Sequence, residues 1–262
     1  MRLDGKVVVI TGAAGGIGAA MARRFAAEKA AALVLADLDG EAAKALAASL
    51  PGEAVGAEVD VTSQEQVAEL VGTTLQRYGR IDLFCANAGI ISGAGLEATA
   101  ETWERTWAVN VLSHVHSARA VLPSMLERGS GYLLHTCSAA GLLTAVGDAP
   151  YAVTKHAAVS FAEWLSITYG DRGVRVSALC PQGVDTPMLT DGLKAGHIGA
   201  KVTAAGGAVL SADQVADAVV AGLDAERFLI LPHPEVARYY LHRATDTDRW
   251  IAGMRTLRDS LV

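Results

Sequence analysis

A short β-branched run, Lys6 to Thr11, feeds directly into Gly12-Ala13-Ala14-Gly15-Gly16-Ile17-Gly18, and an alanine-rich amphipathic helix is expected from about Ile17 to Lys29. Strand, glycine turn and helix in that order leave few folds open. Glycines let the backbone come close to a diphosphate. The start of the helix adds free N–H groups and the positive end of its dipole. This stretch reads as the first unit of a dinucleotide-binding sheet.

The alternation continues along the chain. Strands are expected at Ala32–Ala36, Ala54–Val59, Ile81–Ala86, Gly131–Cys137, Val174–Leu179 and Phe228–Leu231, with helical stretches between them. Helix boundaries carry recognisable signals: Thr62 or Ser63 as a cap, Gly79 as a stop, and a capping box at Ser211-Ala212-Asp213-Gln214. A long helix from Thr99 or Thr102 to about Glu127 holds Asn110. The tail from Pro234 is helical, with Trp250, Ile251, Met254 and Leu257 on one stripe. That stripe packs against the body, reaches a neighbouring subunit, or closes over the pocket. With no internal repeat and no linker, residues 1–262 form one doubly wound α/β domain with a parallel sheet, a Rossmann fold.

The second strand ends at Asp37, 19 residues past Gly18. A carboxylate there accepts hydrogen bonds from the adenosine ribose and repels a 2′-phosphate. No Lys or Arg follows at once, only Leu38-Asp39-Gly40, so NAD is expected over NADP. The competing role for Asp37 is a helix N-cap, which Asp39 suits better.

Composition sets outer limits. A formal charge of −6 lacks the basic footprint of a nucleic-acid binder. Cys85, Cys137 and Cys180 show no CxxC spacing and sit in or beside apolar runs, which suits reduced thiols and a cytoplasmic location. The chain enters a strand almost at once, so no signal peptide is expected. The stretch Gly129 to Gly147, free of Asp, Glu, Lys and Arg, is broken by glycines and polar residues and makes a poor membrane span. His114 and His116 lie two apart and face different sides of a helix, so no metal site is expected. His135 reads as a core histidine with its hydrogen bonds satisfied, and His156 as a packing or interface residue.

Tyr151 and Lys155 stand four residues apart at the start of a helical run, so phenol and ammonium project to one side. A free phenol titrates near ~10, and a neighbouring cation favours its ionised form; lowering a pKa by ~2 corresponds to roughly 2.7 kcal/mol. Such a pair takes a proton from an alcohol or returns one to a ketone. An exposed, idle pair is the bland reading of the same spacing.

Taken together, the Thr11-Gly12 to Gly16-x-Gly18 turn, Asp60, Asn87-Ala88-Gly89, Asn110, Ser138, Tyr151 with Lys155, and Pro181 through Thr186 resemble the short-chain dehydrogenase/reductase family over essentially the whole chain. The resemblance implies a seven-stranded parallel sheet, a nicotinamide cofactor, and a homotetramer (or homodimer) built on the helices bearing Asn110 and Tyr151. It implies a catalytic set of Asn110, Ser138, Tyr151 and Lys155. Tyr151 is the general acid/base, Lys155 its cationic partner on the nicotinamide ribose, Ser138 the holder of the substrate oxygen, and Asn110 the anchor of a proton-relaying water. The implied cofactor set is Gly12, Gly16, Ile17, Gly18, Asp37, Asp60, Val61, Asn87, Gly89, Tyr151, Lys155, Val184 and Thr186. Within it, Asp60 meets the adenine amino group, Asn87 the ribose side, and Val184 and Thr186 the nicotinamide amide.

One position departs from the family pattern. Gln182 stands where a glycine is usual after strand six, and its amide either bonds substrate or points away from the pocket. Leu142, Leu143 and Val146, with Met188, Leu189, Leu193 and Ile198 of a substrate loop of about 186–210, are the candidate substrate lining. They suggest an apolar or alicyclic alcohol or ketone. Only Lys194 and Lys201 are basic there, which argues against an anionic carrier. The rival reading is a non-catalytic NAD-binding sensor or interaction protein on the same fold.

Overall fold

The computed structural model describes residues 1–261. Its elements are β1 (Val7–Thr11), α1 (Gly16–Ala27), β2 (Ala32–Asp37), α2 (Gly40–Ser49), β3 (Ala54–Glu58), α3 (Gln64–Tyr78), β4 (Leu83–Ala86), α4 (Ala100–Trp107), α5 (Ser113–Arg128), β5 (Gly131–Thr136), α6 (Ala140–Leu143), α7 (Ala149–Tyr169), β6 (Val174–Leu179), β7 (Val184–Asp185), α8 (Pro187–Lys194), α9 (Ile198–Ala205), β8 (Leu210–Ser211), α10 (Ala212–Asp224), β9 (Leu229–Ile230), α11 (Glu235–Thr245) and α12 (Thr247–Asp259). Seven strands pair in parallel in the order β3-β2-β1-β4-β5-β6-β9, and β7 with β8 forms a two-stranded annex.

Alternate residues of the buried strands feed two cores. Val9, Val34, Phe84, Leu133 and Val176 pack on one face against α3, α5 and α7, with Val71, Val121 and Leu165 among the partners. Val8, Ile10, Leu33, Leu35, Tyr132 and Leu134 pack on the other against α1 and α10, through Phe25, Val219 and Leu223. The period of two fixes register, because a slip of one residue would exchange the two faces. The strand order reverses beside β1, which leaves a crevice at the carboxyl edge between β1 and β4.

The expected helix across Asn110 is one continuous column with a π-helical turn, Ala108–Leu112, at its centre. Thr99 caps its start. A π turn inserts an extra residue and re-aims its neighbours, and such turns collect at functional sites; here it contains Asn110. The tail is broken into α11 and α12 at Asp246, whose carboxylate caps the second helix.

Candidate active site

The glycine turn has the shape a diphosphate needs. Gly12 and Gly16 take φ of +63° and +51°, in the left-handed region. A Cβ on Gly12 would lie 2.8 Å from Ala88 Cα, and one on Gly18 would collide with the Gly12 carbonyl. The first turn of α1 has no side-chain cap, so its N–H groups stay available to an anion. At the tip of β2, Asp37 Oδ2 accepts from Ala14 N at 2.9 Å and Oδ1 from Asp39 N at 3.0 Å, which fixes the carboxylate beside the turn. Asp39, as expected, caps α2 by accepting from Ala42 N. These residues fit a dinucleotide.

Farther along the carboxyl edge, Asp60 Oδ1 accepts from the Thr62 hydroxyl and amide at 2.7 and 2.9 Å. Those bonds, with a smaller contribution from Arg105, hold its carboxyl below the usual range. Val61 is buried beside it and faces the same cavity. Asn87, expected on the ribose side, spends its amide on the turn: Nδ2 donates to the carbonyls of Thr11 and Gly12 at 3.0 and 3.1 Å. Its Oδ1 accepts from the Thr136 hydroxyl at 2.9 Å. Lys155 Nζ donates to the Thr136 carbonyl at 3.0 Å. One bonded chain thus joins the ammonium to the glycine turn.

Tyr151 and Lys155 do share a face of α7, with Nζ 5.6 Å from the centre of the phenol ring. Their electrostatics correct the expectation drawn from spacing. Burial pushes the Tyr151 phenol up to about 12, with the Ser138 hydroxyl pulling the other way and the Asp148 carboxylate adding to the rise. Burial likewise lowers Lys155. Desolvation outweighs the neighbouring cation, so in the protein alone the phenol is a protonated acid and not a preformed base.

Ser138 is buried at the end of β5, its Oγ accepting from Ala140 N at 3.1 Å. Asn110 is wholly buried. Its Oδ1 accepts from Ile90 N and its Nδ2 donates to Ile90 O, both at 2.9 Å, with a further bond from Nδ2 to Thr154 Oγ1 at 3.1 Å. The side chain expected to anchor a water is therefore engaged with protein partners. A Cβ on Gly89 would sit 3.3 Å from Lys155 Nζ, so that glycine leaves room for the ammonium. Val184 lies in β7, and the Thr186 carbonyl accepts from Leu189 N and Thr190 N to open α8.

One cavity of about 970 Å³ runs past most of these groups; Gly12, Gly16, Ile17, Asp37, Asp60, Tyr151 and Lys155 line it, whereas Gly18 and Asn110 lie outside its lining. Of the expected substrate lining, Leu143, Met188 and Leu189 face it, but Leu142 does not; it lies in the core beneath. Val146, in the loop between α6 and α7, Leu193 on α8 and Ile198 at the start of α9 also fall outside the lining. Gln182 borders the cavity with its Oε1 buried and without a partner, while its backbone N–H donates to His233 Nδ1 at 3.1 Å.

Several lining residues escaped the sequence. Arg105 approaches Asp60 from the helix of the π turn, and Tyr239 reaches in from α11. Trp250, Met254 and Leu257 of α12 also line the cavity, whereas Ile251 of the same stripe points outward. The stripe was visible as amphipathic, with packing on the body, a neighbouring subunit and the pocket left open as its target. His135 pairs with His114, Nδ1 to Nδ1 at 2.7 Å, and the Nε2 of each is buried without a partner, so the expected satisfied histidine is only half satisfied. No group of metal-binding side chains occurs among the described residues.

Comparison with known proteins shows the family. A family model described as short chain dehydrogenase matches residues 6–195. The chain is 39% identical over 259 residues to a 1-deoxy-11-beta-hydroxypentalenate dehydrogenase from Streptomyces exfoliatus, covering 95% of this chain and 90% of that one. It is 39% identical over 190 residues to a meso-2,3-butanediol dehydrogenase from Serratia marcescens, covering 72% and 75%. Among solved structures, a short chain dehydrogenase/reductase from Burkholderia phymatum in complex with NAD superposes with a TM-score of 0.86 at 31% identity, over 95% and 96% of the two chains.

Proposed function

We propose, for a chain that belongs to the short-chain dehydrogenase family and is thereby an oxidoreductase of CH–OH groups with a nicotinamide dinucleotide, an NAD-linked interconversion of a secondary alcohol and a ketone with Tyr151 as acid and base. The observation that carries this reading is the Tyr151 phenol held beside Ser138 and Lys155 on the wall of the cavity that begins at the glycine turn.

A nicotinamide dinucleotide held along the cavity by Gly12, Gly16, Asp37, Lys155, Val184 and Thr186 would supply the hydride chemistry. Around it, Tyr151 gives its proton to a ketone oxygen, or takes one from an alcohol in reverse. The Ser138 hydroxyl bonds the same oxygen as charge develops on it. Lys155 keeps a positive charge one helical turn from the phenol and opposes the cost of phenolate formation. Asn110 and Asn87 hold the backbone of the loop after β4 and of the glycine turn, respectively. Asp37 supports NAD over NADP: a fixed carboxylate stands beside the turn, and Arg105, the arginine that lines the cavity, sits toward Asp60.

The substrate side, from α6, the segment of about 186–210 and the tail from Pro234, presents Leu143, Met188, Leu189, Trp250, Met254 and Leu257. An apolar, alicyclic alcohol fits that wall. The relative from Streptomyces exfoliatus is named for a substrate of the pentalenate type, which supports the same class. Exposed Val153, Trp164 and Ile167 on α7, with Leu112 at the π turn, support a homotetramer or homodimer built on these helices. No helix among the described residues is long and apolar enough to cross a membrane, and we place the protein in the cytoplasm. A panel of secondary alcohols with NAD tests the reading. Turnover on an alicyclic member supports it, while NAD binding without turnover on any member favours a sensor.

A further inference from the structure

We propose that Asp148 is a positioning residue for this reaction: its buried carboxylate clamps the loop after β4 to the first turn of the helix that carries Tyr151. The inference rests on the reading of Tyr151 as acid and base.

Asp148 is 7% exposed and caps α7, accepting from Tyr151 N at 3.0 Å. One such bond is all a cap requires, and a serine or threonine would supply it. Asp148 makes three more. Its Oδ2 accepts from Ser92 N at 2.8 Å and Gly93 N at 2.7 Å, and its Oδ1 accepts from the Ser92 hydroxyl at 2.5 Å. Four donors match the roughly four lone-pair sites of a carboxylate. Among the described residues no cation pairs with it; hydrogen bonds and the helix start balance the charge.

The clamp has a second point. Ala149 N donates to the Ala94 carbonyl at 3.0 Å. Asn110 holds Ile90 from the other side and bonds Thr154 of α7. Residues 90–94 are thus stitched to the first turns of α7 at both ends, and Ile90, Ile91 and Gly93 line the same cavity as the phenol. The width of the reaction chamber is set by these bonds.

The clamp also carries charge. The groups facing the phenol are Lys155 on α7, the Cys137 and Cys180 thiols at the ends of β5 and β6, the Ser138 hydroxyl, and Asp148. Of these, Asp148 is the anion, and it favours the protonated phenol. Removing its charge therefore eases ionisation.

The test compares wild type, Asp148→Asn and Ser92→Ala by amide hydrogen exchange and by the pH profile of alcohol oxidation at saturating NAD. In Asp148→Asn, exchange at the Ser92 and Gly93 amides is expected to rise at least about tenfold. The acid limb of kcat/KM moves down by roughly 0.3–1 pH unit, a displacement that a purely structural role would not produce. In Ser92→Ala the charge remains, so exchange rises while the limb does not move down. This variant decides the matter if Asp148→Asn does not fold. Unchanged exchange in both variants, or a limb that stays in place in folded Asp148→Asn, overturns the proposal. Wild-type turnover in Tyr151→Phe would instead overturn the functional reading, and the exchange result would still judge the clamp.

Discussion

Lys155 holds its ammonium 5.6 Å from the centre of the Tyr151 ring and binds the Thr136 carbonyl, yet the phenol beside it is a weaker acid than free tyrosine. The two side chains are close, but both are enclosed, and enclosure disfavours either charge. The ammonium reduces the cost of a phenolate without cancelling it. A further positive charge in the cavity is what would tip the balance.

That gives a direct titration. Without cofactor, the Tyr151 phenol, pushed up to about 12, stays protonated through neutral pH. The oxidised nicotinamide is cationic, so saturating NAD is expected to lower the transition by at least about one pH unit. Ultraviolet difference titration, with Tyr151→Phe as the blank, reads both states. A transition that NAD leaves in place would refute the electrostatics.

Cofactor choice is expected to rest on Asp37. Its carboxylate is pinned by Ala14 N and Asp39 N and cannot swing away from a 2′-phosphate without losing both bonds. Asp37→Ser should narrow the preference for NAD over NADP in kcat/KM by about 10–100-fold, the equivalent of 1.4–2.7 kcal/mol. Equal efficiency of the two cofactors in wild type would contradict this assignment.

Trp250 lines the same cavity as the phenol. Trp250→Ala removes apolar contact made by a large substrate in both ground and transition states, so KM should rise about 5–50-fold for alicyclic alcohols with kcat little changed. Small acyclic alcohols should respond less. The same change in KM for both groups would remove α12 from the substrate wall.

The His114–His135 pair predicts how stability depends on acidity. Burial lowers both imidazoles, His135 to about 4, against about 6.5 in an unfolded chain. Between those values the unfolded state binds more protons. The contribution is therefore intact above about pH 6.5 and is lost as pH falls toward about 4. Urea unfolding at pH 7.5 and 5 should show a smaller acid loss in the double variant His114→Gln, His135→Gln than in wild type. An equal loss would place the acid sensitivity elsewhere.

Much of this was legible from local signals. The valine run of β1 and the glycines behind it dictated the first unit, and Ser63, Gly79 and Ser211 marked helix ends where the structure has them. Spacing placed Tyr151 and Lys155 on one face. What stayed hidden depends on tertiary surroundings. The π turn at Asn110 has no marker in a helical pattern, and α6 decides that Leu143 faces the cavity while Leu142 faces the core. Burial reversed the expected acidity of the phenol because a four-residue spacing says nothing about solvent. Asp148 carried no signal in the sequence, since three of its four donors come from a loop 55–56 residues away.

Steady-state turnover of Tyr151→Phe, measured beside its NAD affinity on an alcohol that wild type oxidises, bears most directly on the chemistry. The expected result is a loss of about 10²–10⁴-fold in kcat with NAD affinity within about threefold of wild type, because the substitution removes one hydroxyl and leaves the cavity otherwise intact. Turnover within about threefold of wild type, with the phenol gone, would contradict its role as acid and base.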